Sequence, residues 1–241
     1  MSDFFVDFGP DEGDVGPPSA MIVKFPPVHL ADRESGLLAV GGDLEVASLE
    51  LAYRNGIFPW PVSEGDPVLW FAPARRAILD FDALQVPKRL QRELRNSHFR
   101  FRVNTCFHEV ILSCASSKNR KSQSGTWITR EMIAAYSNLH RVGLASCFEA
   151  FNPQDELVGG MYGVLIGKYF AGESMFYKEP NASKFVFVQT VAYLRARGFK
   201  WMDVQVLTPL LASFGAVEIP RRQFMRMLSE ALARGQASLH E

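Results

Sequence analysis

From Leu144 to Val206 the chain passes through three strand-like runs, one helical run and a fourth strand, with few residues spare between them. The strand-like runs are Leu144–Phe151, Glu156–Leu165 and Lys168–Met175, joined by the turn Asn152-Pro153-Gln154-Asp155 and the pair Ile166-Gly167. Ala182–Arg197 has helical apolar periodicity and stops at Gly198, the residue type that most readily ends a helix. Phe199–Val206 returns to strand, Pro209 opens a short helix that stops at Gly215, and Arg222–Arg234 is amphipathic. Strands followed by helix, strand and helix exclude an all-helical bundle and an all-strand sandwich. The fold class is α+β or mixed α/β.

The first half is more punctuated. Residues 1–20 carry five acids and no Lys or Arg, with Gly and Pro throughout, and read as a solvated acidic tail. After the extended entry Phe25-Pro26-Pro27, Asp43 or a neighbour caps a short helix through Leu49–Arg54, which ends at Asn55-Gly56. Val68–Phe71 and Ala77–Phe81 read as strands, Lys88–Arg95 as a helix opened by Pro87, and Phe99–Val103 as a half-buried strand. Helices follow at Phe107–Ala115 and Arg130–Gly143. Lys+Arg and Asp+Glu are 26 each, so no global field drives the protein onto nucleic acid or membrane, and such binding would need a local patch. No apolar run reaches the ~18 residues of a membrane span. The three cysteines form no C-x-x-C pair and the N-terminus has no basic segment before an apolar one, so a cytoplasmic location is expected.

Several residues stand out chemically. Asp203 and Gln205 are two apart near the end of a strand, so alternation puts both on one face. Capping the following helix and serving a site are both open to them. Glu173 and Glu149 lie near the ends of two other strands, each as a surface ion pair or as a carboxylate for a cation. Trp70 is a core residue or a face on which a base stacks. Lys88, Arg89, Arg92 and Arg95 form one helical stripe, either a solvated face or a phosphate-binding patch. Met161, Met175, Phe187, Thr190, Leu194 and Met202 could line an apolar pocket or fill a core, Phe187, Thr190 and Leu194 sharing one helix face. No P-loop, Gly-x-Ser-x-Gly or zinc-binding histidine pair is present.

Seven motifs occur in order: Gly56-Ile57-Phe58-Pro59-Trp60, Val68-Leu69-Trp70, Thr126-Trp127-Ile128, Leu157-Val158-Gly159-Gly160-Met161-Tyr162-Gly163, Gly172-Glu173-Ser174-Met175-Phe176, Asn181-Ala182-Ser183-Lys184, and Gly215-Ala216 continuing to Glu218-Ile219-Pro220-Arg221. Over roughly residues 25–225 the chain resembles the leucyl/phenylalanyl-tRNA–protein transferases. The resemblance implies a tail over 1–24, a small N-terminal domain over 25–85 and an acetyltransferase-like (GNAT-type) domain over 86–235. It implies a monomer without cofactor or metal. The implied reaction moves Leu or Phe, or Met, from aminoacyl-tRNA to the α-amino group of proteins beginning with Arg or Lys, marking them for N-degron degradation. Carried over by motif, Gln205 contacts the reacting amine or ester, while Asp203 orients Gln205 and holds the ammonium. Glu173, with Glu149 second, receives the acceptor's N-terminus; Trp70 stacks on the terminal adenine; the Lys88 stripe takes tRNA phosphates. The six apolar-face residues line the aminoacyl pocket. Thr190 is expected to shape the choice between Leu and Phe, and a helical Thr hydroxyl can bond the carbonyl four residues back, here that of Val186. The sequence departs from the family's usual residues at Phe71, Ser146, Tyr177, Thr190 and Leu210. A coenzyme-A-dependent acyltransferase is disfavoured, since Lys178–Ser183 lacks the glycines of a pyrophosphate loop. A non-catalytic tRNA-binding protein, or a paralogue using another peptide or amine, are the remaining alternatives.

Overall fold

The computed structural model describes residues 7–8, 22–60, 63–116 and 128–235. The acidic tail falls mostly outside the described residues, as do Thr126 and Trp127; within it, strand β1 (Asp7–Phe8) pairs with β2 (Ile22–Lys24). A three-stranded antiparallel sheet follows, with order β3-β5-β4, from β3 (Leu37–Val40), β4 (Phe58–Pro59) and β5 (Leu69–Phe71). Helix α1 (Val46–Arg54) lies between its first two strands in the chain. It begins three residues earlier than expected, and Asp43 supports its entry by accepting the Glu45 N–H rather than by capping the first turn.

The second sheet has seven strands in the order β12-β6-β11-β10-β9-β8-β7. In chain order these are β6 (Arg75–Asp80), β7 (Arg100–Val103), β8 (Ala145–Phe151), β9 (Leu157–Ile166), β10 (Tyr169–Tyr177), β11 (Trp201–Gln205) and β12 (Val217–Pro220). The helices are α2 (Lys88–Asn96), α3 (Phe107–Ala115), α4 (Arg130–Arg141), α5 (Ala182–Ala196), α6 (Pro209–Ser213) and α7 (Arg221–Leu232). The mixed α/β class and every expected strand and helix of 144–213 are present, with ends shifted by one or two residues. Strand β12 was not read from the sequence: it is a four-residue edge strand ending in Pro220, with little apolar alternation. Strand β6 lies between β12 and β11 inside the large sheet. The chain passes from the small sheet to the large one between Phe71 and Arg75, ahead of the break expected at 85/86.

Alternation along the central strands assigns side chains to two cores. Cys147, Tyr162 and Val164 face one with α3 and α4, while Phe148, Met161 and Leu165 face the other with α5. With both faces covered, β8 and β9 are almost wholly buried, which is why they read as continuous apolar runs. All neighbouring strands are antiparallel except β10 and β11, which are parallel and matched at the single pair Ala171 and Asp203. Beyond that pair lie Glu173 on one strand and Gln205 on the other.

The close packing needs small residues at β9. A Cβ on Gly163 would lie 2.2 Å from the Ala171 carbonyl oxygen and 2.6 Å from the Phe170 ring. Gly163→Ala must push backbone apart inside the sheet, and overpacking of this kind costs about 1–3 kcal/mol or more. Melting should drop by roughly 4–8 °C for a loss of about 2 kcal/mol. An unchanged melting temperature would contradict this packing.

Candidate active site

The site is assembled where β10 and β11 part. Glu173, on β10, is 9% exposed and receives three side-chain donors. The Tyr53 hydroxyl donates to Oε1 at 2.7 Å, the Gln205 amide nitrogen to the same oxygen at 2.8 Å, and the Tyr136 hydroxyl to Oε2 at 3.3 Å. The two tyrosine hydroxyls are 2.5 Å apart. Burial raises the Glu173 carboxyl to about 7, against the pull of the Tyr53 and Gln205 bonds. Burial and the charge of Glu173 push both phenols well above their ordinary range, so they remain donors.

Asp203 is fully buried beside this pair. Arg76 meets it with a bidentate fork, Nε to Oδ1 at 2.9 Å and Nη2 to Oδ2 at 2.7 Å. The Tyr169 hydroxyl donates to Oδ2 at 2.6 Å and the Gln205 backbone N–H to Oδ1 at 2.8 Å. Burial opposes the charge on Arg76, but Asp203 outweighs it and holds the guanidinium ionised above its usual range. The pairing of β11 with β6 is irregular between Asp203 and Gln205, and the bulge separates their tasks: Gln205 lines a cavity and Asp203 does not. Asp203 accepts the Gln205 backbone N–H and does not line the cavity, so it lies behind Gln205 rather than against a group in the cavity.

That cavity measures about 340 Å³. Its walls are Met161, Met175, Phe187, Val204, Val206 and Leu211, with Pro59 and Trp60 contributed by the small sheet. Glu173, Ser174, Gln205 and Thr208 supply the polar groups. A cavity of this size is at the lower end of those that hold small molecules.

The structure brings Glu173, Gln205, Met161, Met175 and Phe187 together, as expected. Other placements differ from the sequence reading. Trp70 is fully buried, edge-on to Phe25, with its indole N–H donating to the Gly41 carbonyl, so it offers no face to a base. Glu149 is also fully buried, and its Oε1 accepts the Thr105 and Cys106 N–H groups and the Cys147 thiol. It anchors the entry to α3 instead of meeting an acceptor. Thr190, Leu194 and Met202 are fully buried and do not line the cavity. The Thr190 hydroxyl has no hydrogen-bond partner among the described residues, so the expected bond to Val186 is absent. Lys88, Arg89, Arg92 and Arg95 are all exposed on α2, with Arg89 bonded to Glu93 at 2.8 Å. Arg76, Tyr53, Tyr136 and Trp60 went unread. Arg76 carried a usable signal, a charge abutting an apolar strand, whereas the tyrosines reach Glu173 only through tertiary packing.

Fold and cavity together define an α/β protein with a largely apolar cavity lined by a hydrogen-bonded carboxyl–amide pair. Residues 78–229 match the family model described as leucyl/phenylalanyl-tRNA protein transferase, and residues 42–74 match that of its N-terminal domain. A leucyl/phenylalanyl-tRNA–protein transferase of Anaeromyxobacter dehalogenans (strain 2CP-C) is 50% identical over 208 residues, 86% of this chain and 88% of that protein. One from Flavobacterium johnsoniae is 48% identical over 205 residues, 85% of this chain and 94% of its own. The chain belongs to the leucyl/phenylalanyl-tRNA–protein transferase family and is a transferase. Among solved structures, a GNAT-family acetyltransferase from Staphylococcus aureus aligns with 42% of this chain and 69% of its own, at 14% identity and a TM-score of 0.31, too remote to carry an argument.

The raised Glu173 carboxyl has a consequence for stability. Its folded value of about 7 lies above the ordinary 4.5, so its contribution is full at low pH and is lost as pH rises through 7. Glu173→Gln does not titrate. Relative to wild type it should gain about 2 kcal/mol between pH 5.5 and 8, read from denaturant melts across that range. Parallel stability curves would mean that Glu173 titrates at its ordinary value.

Proposed function

We propose that the cavity holds the Leu or Phe side chain of an aminoacyl-tRNA while the α-amino group of a protein beginning with Arg or Lys attacks the ester. The reading rests on one observation: a hydrogen-bonded carboxyl–amide pair, nearly buried, lines an otherwise largely apolar cavity of about 340 Å³. An aminoacyl ester is already activated, so transfer needs positioning, an uncharged amine and somewhere for its proton to go. The amide nitrogen of Gln205 is given to Glu173, which leaves the amide oxygen to accept a hydrogen bond from the amine. The amine nitrogen bonds to the ester carbonyl carbon and gives a proton to the Glu173 carboxylate. The carbon–oxygen bond to the ribose then breaks, and the proton passes to the ribose oxygen. A carboxyl near 7 and an α-amino group near 7.7–8.0 are close enough for that exchange.

The unbranched methionine walls re-pack around either side chain, which suits a site taking both Leu and Phe. Among the residues lining the cavity Glu173 is the one acid, and its negative charge favours an acceptor with a basic first residue. The indole face for the terminal adenine comes from Trp60, which lines the cavity and is 37% exposed. The exposed α2 stripe receives tRNA phosphates.

Single-turnover transfer from Leu- or Phe-charged tRNA to peptides beginning with Arg, Lys, Asp, Glu or Ala tests the reading. Arg and Lys peptides should be preferred, and Gln205→Ala should slow transfer by about 10²–10³-fold with charged-tRNA affinity unchanged. Wild-type rates in Gln205→Ala would remove the amide from the reaction.

A further inference from the structure

Gln205 has a backbone φ of +59°, in the left-handed region that a residue with a Cβ seldom adopts. The Val206 N–H donates to the Val204 carbonyl at 2.7 Å, closing a three-residue turn with Gln205 at its centre. A γ-turn with positive φ at its middle residue is rare and strained, and strain of this kind persists only where the surroundings over-determine it. Here the restraint is visible. Asp203 Oδ1 accepts the Gln205 N–H from two residues back, and Arg76 grips both oxygens of that carboxylate. Arg76 is itself fixed, its guanidinium over the Phe58 ring at 4.3 Å and the Phe224 ring at 4.8 Å.

We propose that Arg76 is a positioning residue for the transfer: its fork fixes the Asp203 carboxylate, which holds the strained turn that aims the Gln205 amide at the reacting amine. The proposal rests on the assignment of Gln205 given above and adds how that side chain is held. The bidentate geometry is what matters, because a lysine would keep the charge but could not lock the carboxylate plane. Without that lock the turn relaxes toward ordinary strand geometry and the amide leaves its position. The walls formed by Met161, Met175, Phe187 and Leu211 stand on other elements and do not depend on it.

The test is a double-mutant cycle read by transfer kinetics. Arg76→Lys should lower kcat by about 10–100-fold, as misplacement of about 1 Å at a reacting centre does, with KM for charged tRNA and acceptor peptide within about threefold of wild type. In a Gln205→Ala background the same Arg76→Lys change should cost less than about threefold, since the group it positions is already gone. Asp203→Asn, which keeps an acceptor oxygen for the Gln205 N–H but loses the charge that Arg76 binds, supplies the same cycle should Arg76→Lys not fold. Equal losses in the two backgrounds would overturn the proposal, because Arg76 would then act independently of Gln205. So would a wild-type kcat in Arg76→Lys while Gln205→Ala is slow. A fast Gln205→Ala would instead overturn the assignment of the amide itself.

Discussion

The ion pair between Arg76 and Asp203 ties the molecule together. Arg76 sits on β6 and Asp203 on β11, neighbouring strands of the large sheet, and their side chains are 2% and 0% exposed. Charges so buried are tolerated only when fully paired, and removing one partner of such a pair typically costs about 3–5 kcal/mol. The pair reaches beyond its own strands. Arg76 lies over Phe58 of the small sheet and Phe224 of α7, and Asp203 takes a hydrogen bond from Tyr169 on β10. One charged contact thus links the small sheet, the last helix and the two strands that frame the site.

The same arrangement sorts two carboxylates into two tasks. Asp203 has a full cation beside it and serves as a fixed anchor. Among the described residues Glu173 has only neutral donors in hydrogen-bond contact, two phenols and an amide, so burial dominates and its carboxyl titrates near neutrality. A carboxyl poised there can both take and return a proton at physiological pH.

The sequence was most legible where periodicity was long. The strands and helix between Ala145 and Gln205 follow from apolar runs bounded by turn residues and from a helical period that stops at Gly198, and Glu173 and Gln205 line the cavity. Strands β4, of two residues, and β12, of four with one buried side chain, carry too little apolar pattern to be read. The errors at the site share one cause. Which side of a helix or strand faces a cavity, and which faces solid core, depends on what packs against it. Phe187 lines the cavity, while Thr190 and Leu194 on the same helix are sealed beneath it. Trp60 and Trp70 are equally plausible as bases' partners by residue type; only the packing of Phe25 and Gly41 on Trp70 separates them.

The central claim is that ionised Glu173 takes the proton of the attacking amine. It is tested most directly by the pH dependence of kcat/KM for an acceptor peptide, which reports ionisations of the free enzyme and free substrate. Wild type requires both an ionised Glu173 and a neutral α-amino group, so log kcat/KM should rise with a slope near two below about pH 7. Glu173→Gln should be slower and rise with a slope near one, set by the amine alone. The same slope in both proteins would contradict the account.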